Sequence, residues 1–240
     1  MGKRIIIPWS GGLDSTYLVY TNLRDGNTVL PVYITIENNT SKVDREKKTV
    51  AQLVELFKEM DLLGELEDID FSTEFETGFS PNLAFAQMPI WIIGLLYTNW
   101  SECDEIQMGY VMNDDAVSYI DEVKKIWKSY SGITNDGKVP TLKFPLSKMK
   151  KWKIWGDLPD KIRQLTMFCE TSVGGLDCGE CDSCKRYKYD GLFEGYDRNQ
   201  PVLIPTTSQL SLDFGVDEEF EADEAIGDSV DLEAKASVEA

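Results

Sequence analysis

The chain has 240 residues, 42% of them hydrophobic, with a formal net charge of -18, five cysteines and no histidine. That length allows one large α/β domain with a small appendage, and the apolar share allows a sizeable core. The missing histidine excludes Ser-His-Asp triads, Cys-His pairs and histidine-ligated metals, and the negative charge argues against sequence-independent binding to nucleic acid or anionic membranes.

Residues 5–9 form a short, wholly apolar run, as in a strand buried on both faces. Residues 14–25 read as a helix ended by Gly26 at its C′ position. Residues 28–36, "TVLPVYITI", read as a second strand, and residues 38–41 as a polar loop. From residue 43 to 63, apolar Val50, Leu53, Val54, Phe57 and Met60 give the spacing of an amphipathic helix. A third strand is expected at 68–71, a buried helix at 81–100, a fourth strand at 105–110 and a helix at 118–130. A fifth strand is expected at 141–146, with short helices at 150–155 and 158–167.

Alternating strands and helices predict an α/β fold, a doubly wound parallel sheet with helices on both faces. Ligands of such sheets bind beyond the C-terminal strand ends, and residues 10–14 sit at one. The apolar stretch 83–100 approaches the length of a membrane span, but it contains Gln87, Pro89, Thr98 and Asn99. It is therefore read as a core helix. The opening "MGKRIIIPWSGG" lacks the build of a signal peptide, so a cytoplasmic protein is expected. Residues 213–240 carry 11 acidic residues and one lysine, against 31 acidic and 23 basic in the rest. The expected division is an α/β domain over 1–165, a cysteine knot and C-terminal helix over 166–200, and a disordered acidic tail over 201–240.

"PWSGGLDST" joins the first strand to the first helix. Gly11 and Gly12 can bring backbone N–H groups close to an anion, and the helix starting near Asp14 points its positive end there. Ser10, Ser15 and Thr16 add hydroxyls. No lysine follows to hold a γ-phosphate, so the charge would be offset by backbone donors and by Mg²⁺ on Asp14. An ordinary turn with Asp14 or Ser15 as a helix cap is the plainer alternative. Four of the five cysteines are spaced Cys169-x8-Cys178-x2-Cys181-x2-Cys184. Four thiolates close a tetrahedral shell around Zn²⁺, which would make the site structural. The spacing also admits an iron–sulfur cluster. Cys103 reads as a lone, partly buried thiol.

Ser-Gly-Gly-x-Asp-Ser at the first strand–helix junction resembles the loop of the N-type ATP pyrophosphatases, the PP-loop enzymes. With the cysteine spacing, the chain is similar to the QueC family of 7-cyano-7-deazaguanine synthases over roughly residues 5–191. The resemblance implies an ATP loop made of Ser10, Gly11, Gly12, Leu13, Asp14, Ser15 and Thr16, with adenine near Tyr33 to Ile36. "FPLSKMKKW" puts Lys151 at the family lysine, and "VSYID" puts Asp121 near the substrate. The plainer alternative for Lys151 is a surface residue in a run of lysines. Asp114 is either a substrate ligand or a solvated loop residue, and Phe168 either stacks on a heterocycle or packs. Ser10, Asp14, Lys151 and Asp121 are the implied catalytic residues. Cys169, Cys178, Cys181 and Cys184 are the implied Zn²⁺ ligands, followed by a basic helix that starts with Lys185 and Arg186.

The implied reaction turns 7-carboxy-7-deazaguanine and ammonia into the nitrile, using ATP and Mg²⁺, through acyl-adenylate and amide stages. A homodimer without direct nucleic-acid contact is also implied. Two departures stand out. Where the family has Pro-Gly-Arg-Asn, this chain has Pro89-Ile90-Trp91-Ile92; where it has Cys-Glu-Thr-Asp, this chain has Val111-Met112-Asn113-Asp114. A related PP-loop enzyme for another acid or base, and a non-catalytic nucleotide- and zinc-binding protein, remain as alternatives.

Overall fold

The computed structural model describes residues 2–36, 40–75, 87–98, 102–112, 114–134, 139–171 and 177–189. In chain order the elements are β1 (Arg4–Pro8), α1 (Leu13–Arg24), β2 (Thr28–Ile36), α2 (Thr40–Glu59), β3 (Glu65–Leu66), β4 (Asp70–Phe75) and α3 (Gln87–Tyr97). β5 (Glu105–Gln107), a 3-10 turn (Asp115–Tyr119), α4 (Ile120–Thr134), β6 (Thr141–Lys143), α5 (Lys151–Asp157), α6 (Asp160–Leu165) and α7 (Asp182–Tyr189) follow.

Every strand pairing among the described residues is parallel, and the sheet order is β3-β2-β1-β5-β6, with β4 also beside β2. β3 pairs with the start of β2 and β4 with its end, so the expected third strand is two short ladders in succession. The chain winds outward from β1 in both directions, and the point of reversal lies between β1 and β5. Crevices at that point take ligands in this class of sheet.

Alternation along β1 divides the core. Ile5 and Ile7 face a cluster built with α1, α2, α5 and α6, including Leu18, Leu53, Ile154 and Ile162. Ile6 faces the other cluster, with Ile92 of α3, Ile106 of β5 and Trp127 of α4. Both faces are thus covered, which is why β1 is apolar at successive positions.

Several boundaries differ from the sequence reading. α2 begins at Thr40, inside the stretch read as loop, because Ser and Thr favour helix starts as much as turns. β5 and β6 pair over three residues each, since the chain bends away once past the sheet. Cys103 is fully buried, with the Arg4 guanidinium donating to its Sγ at 3.4 Å. α1 ends as expected, with Asp25 as C-cap and Gly26 at φ 80°. α3 is described from Gln87; the expected start of that helix and the whole acidic tail lie outside the described residues. No helix among the described residues is long and apolar enough to cross a membrane.

Candidate active site

The loop after β1 is fixed by its neighbours. Gly11 has φ 74°, and a Cβ there would lie 2.8 Å from Thr49 Cγ2 of α2. Met167 donates its N–H to Gly11 O at 2.8 Å, tying the loop to the strand-like residues after α6. Trp9 Nε1 donates to Thr16 Oγ1 at 3.0 Å inside the core, a buried bond of about 1 kcal/mol. Thr16 is fully buried and its hydroxyl is occupied by Trp9. Gly12 is the N-cap of α1 and no side chain caps this end. The first-turn N–H groups and the helix dipole are thus available to an anion.

A central cavity of about 220 Å³ opens on this loop, lined by Ser10, Gly12, Leu13 and Asp14. Tyr33, Ile34 and Ile36 at the end of β2 form another side, where adenine is expected. Lys42 and Glu46 reach it from α2, and Tyr33 donates its hydroxyl to Glu46 Oε2 at 2.7 Å. Burial pushes the Glu46 carboxyl up, against Lys42 and the Tyr33 hydroxyl. Ser15 lines a smaller adjoining cavity with Trp91, Met108 and Tyr110.

Lys151, at the start of α5, enters the central cavity, its Nζ 3.2 Å from Asp14 Oδ2. It also stands 5.2 Å from the Tyr187 ring centroid, a cation–π contact that holds the ammonium in place. Asp14 Oδ1 is buried without a hydrogen-bond partner. Burial pushes the Asp14 carboxyl up to about 6, partly opposed by Lys151 and reinforced by Asp114. An unpartnered buried carboxylate oxygen is the hard donor that Mg²⁺ takes, so Asp14 fits the implied metal.

Asp114 accepts the Val111 N–H at 2.9 Å and faces Arg186 Nη1 at 3.7 Å. Asp121 is exposed on the first turn of α4 and lines none of these cavities. Phe168 lines the central cavity, and its ring stacks on Tyr187 with centroids 3.9 Å apart.

The four cysteines converge, with every Sγ within 4.8 Å of the others. Tetrahedral zinc with Zn–S of about 2.3 Å needs S···S of about 3.8 Å, and Cys178 and Cys184 are 4.0 Å apart. Cys178 Sγ accepts from Thr171 Oγ1 and from the N–H groups of Glu180 and Cys181. Those donors hold the Cys178 thiol down, at about 6. Burial pushes Cys169 and Cys184 up. A cation shared by all four sulfurs would reverse that, so the donor set fits a structural metal.

Cys169 itself lines the central cavity, as do Glu170 and Ser183. Arg45 pairs with Asp177 at 2.6 Å, and Lys42 pairs with Glu170. α2 therefore clamps the cysteine segment onto the cavity. Sequence reasoning missed Lys42, Glu46, Tyr187 and Gly109. A Cβ on Gly109 would lie 2.9 Å from Ser15 N, so only glycine lets the chain after β5 pass the loop. Its signal was a glycine following a strand.

A doubly wound parallel sheet with a glycine loop at its point of reversal and a C-terminal four-cysteine cluster defines the class: an α/β protein with a candidate ligand site at the strand ends. Residues 82–194 match the family model described as "Queuosine biosynthesis protein QueC". The match spans 113 of the 240 residues, a little under half of the chain, and over that span the chain is similar to the family. That span includes Lys151 and all four cysteines, while the loop at 10–14 lies before it. Among solved structures, the U34-tRNA thiolase NcsA from Methanococcus maripaludis with its [4Fe-4S] cluster matches with TM-score 0.43 and 14% identity, covering 88% of this chain and 78% of that one. NMN synthetase from Francisella tularensis matches with TM-score 0.40 and 15% identity, covering 85% of this chain and 89% of that one. No curated protein matches the chain at a significant level.

Proposed function

We propose that the protein uses ATP to activate a carboxylate, and that the acid is 7-carboxy-7-deazaguanine, converted with ammonia to 7-cyano-7-deazaguanine. The observation that carries this reading is Asp14 against Lys151, 3.2 Å apart on one cavity. One belongs to the loop motif and the other to a lysine motif 137 positions later, and adenylation needs both near the α-phosphate.

In this reading ATP lies with adenine toward Ile36 and its phosphates on the loop. The uncapped end of α1 stabilises charge on the departing pyrophosphate. Asp14 would hold Mg²⁺, which supplies Lewis-acid stabilisation of phosphate charge when bound. Lys151 offsets charge on the α-phosphate as the carboxylate oxygen attacks phosphorus and the bond to pyrophosphate breaks. Ammonia then displaces AMP to give the amide. A second ATP activates the amide oxygen, and loss of AMP and protons leaves the nitrile. The four cysteines would hold Zn²⁺ as a structural ion. Deazapurine acid and ammonia are the proposed partners, with no direct nucleic-acid contact.

One observation favours a second reading. Trp91 lines both the central cavity and its neighbour, at a position where the family carries arginine. A related enzyme activating another acid would account for that wall. The test is incubation with ATP, Mg²⁺, ammonium and 7-carboxy-7-deazaguanine, following AMP and product mass. Nitrile is expected. AMP formation only with a different acid would replace the first reading by the second, and absence of ATP cleavage with any acid would overturn both.

A further inference from the structure

Among the described residues, three carboxylates line the central cavity: Asp14, Glu46 and Glu170. Asp14 stands against Lys151, and Glu170 is half exposed and paired with Lys42. Glu46 is held differently. It accepts the Tyr33 hydroxyl at 2.7 Å, and its side chain is only 17% exposed. Lys42, one helical turn earlier on α2, lies 4.0 Å from its Oε1 and balances its charge. None of the adenylation steps uses Glu46. A carboxylate in a pocket for a polyphosphate repels that ligand unless it meets hydrogen-bond donors.

The strand register identifies those donors. The loop leaves the sheet just past Trp9, whose N–H donates to Val32 O at 2.8 Å. Tyr33 is the next residue of β2, and Ile36 lies three residues further, about 10 Å along the strand. With phosphates on the loop and adenine toward Ile36, the sugar lies between them, at the level where Tyr33 fixes Glu46. The 6-amino group of adenine is at the far end of the nucleotide.

We propose that Glu46 is the residue that reads the sugar: it accepts the 2′- and 3′-hydroxyls of ribose and so selects ribonucleotides over deoxyribonucleotides. The inference rests on the ATP reading above and deepens it by naming the class of nucleotide taken. An ionised carboxylate only accepts, and both of its oxygens keep lone pairs beyond the Tyr33 bond, so it matches a pair of hydroxyl donors. Tyr33 sets its position, and Lys42 joins it to Glu170 across the cavity. A site built around a ligand hydroxyl rejects the analogue that lacks it, because a buried acceptor is left unpaired. Carboxylates and ribose hydroxyls pair in the same way in dinucleotide-binding sheets.

Calorimetry on the metal-loaded protein with Mg²⁺, without acid or ammonia, tests this with ATP, 2′-deoxy-ATP, 3′-deoxy-ATP and ITP. Each deoxy analogue is expected to bind about tenfold or more weakly than ATP. Glu46→Ala should bring ATP down to the level of the deoxy analogues and leave their affinities unchanged, whereas a merely structural role would weaken all of them alike. Glu46→Gln keeps the shape and an acceptor for Tyr33, and it should narrow the preference even where Glu46→Ala does not fold. ITP lacks the 6-amino group, so the ratio of ATP to ITP affinity should be the same with and without Glu46. Equal binding of ATP and both deoxy analogues to the unaltered protein would overturn the assignment and leave the ATP reading standing. So would a sugar preference that survives in the variants, or a loss confined to the ATP-to-ITP ratio. No binding of ATP to the unaltered protein would overturn the ATP reading and this inference with it.

Discussion

One wall of the central cavity comes from Ser10, Gly12, Leu13 and Asp14 of a single loop, while another is gathered from Phe168, Cys169, Glu170, Ser183 and Tyr187. The first is set by backbone: the φ of Gly11, the Met167 N–H on Gly11 O and the Trp9–Thr16 bond. It needs no metal to hold its shape. The second hangs on four thiols, of which Cys169 and Cys184 are buried. Four sulfurs within 4.8 Å repel once ionised unless a cation joins them. The first wall is therefore a frame fixed by backbone, and the second is one that a metal on the four sulfurs would fix.

The largest effect separates chemistry from fit. Asp14→Asn keeps the shape and removes the charge, and AMP formation should fall by about 10²–10³-fold. Metal bound to the cysteines should not change, as read by elemental analysis. Next, Cys184→Ser, or chelation, should release metal and weaken ATP-analogue binding by about tenfold, or ~1.4 kcal/mol. Loss of metal with full ATP affinity would make the two walls independent and break the comparison.

The pH profile sharpens it further. Burial raises Asp14 to about 6, and its ionised form is the one that holds a cation. AMP formation should be full above that value and fall about tenfold per pH unit below it. Lys151 lowers the Asp14 value, so Lys151→Met should move this limb to higher pH. A limb that stays in place would uncouple the pair.

Much of this was legible in the sequence because local chemistry declares itself. Glycines and hydroxyls in "SGGLDST" and the x8, x2, x2 cysteine spacing signal their sites without tertiary context. β1, β2 and the end of α1 follow from apolar runs and from Gly26. The resemblance put Lys151 on the same cavity as Asp14, but only the packing of α5 gives their 3.2 Å approach. Lys42 and Glu46 look like solvent-facing charges of an amphipathic helix, and the cavity between α2 and the cysteine segment is what draws them inward. Asp121 stays outside because the 3-10 turn at Asp115–Tyr119 sets α4 with its first turn exposed.

The smallest effect belongs to the far end of the sheet. Burial pushes the Glu105 carboxyl up, but hydrogen bonds from Lys143, Lys3 and Gln107 outweigh it and hold it at about 2. A lowered carboxylate value means stability that is complete above the unfolded value, about 4.3. It is lost as pH falls from there toward 2. Glu105→Gln should lower the melting temperature modestly at neutral pH and flatten that acid slope. AMP formation and its limb near pH 6 should not move. A change in the limb would mean the two ends of the sheet are coupled.

The central claim is that Asp14 and Lys151 direct cleavage at the α-phosphorus of ATP. Separating the nucleotide and phosphate products of turnover tests it most directly. AMP with pyrophosphate, dependent on a carboxylic acid and lost in Asp14→Asn, is the expected result. ADP with inorganic phosphate, or AMP formation that survives both Asp14→Asn and Lys151→Met, would contradict it.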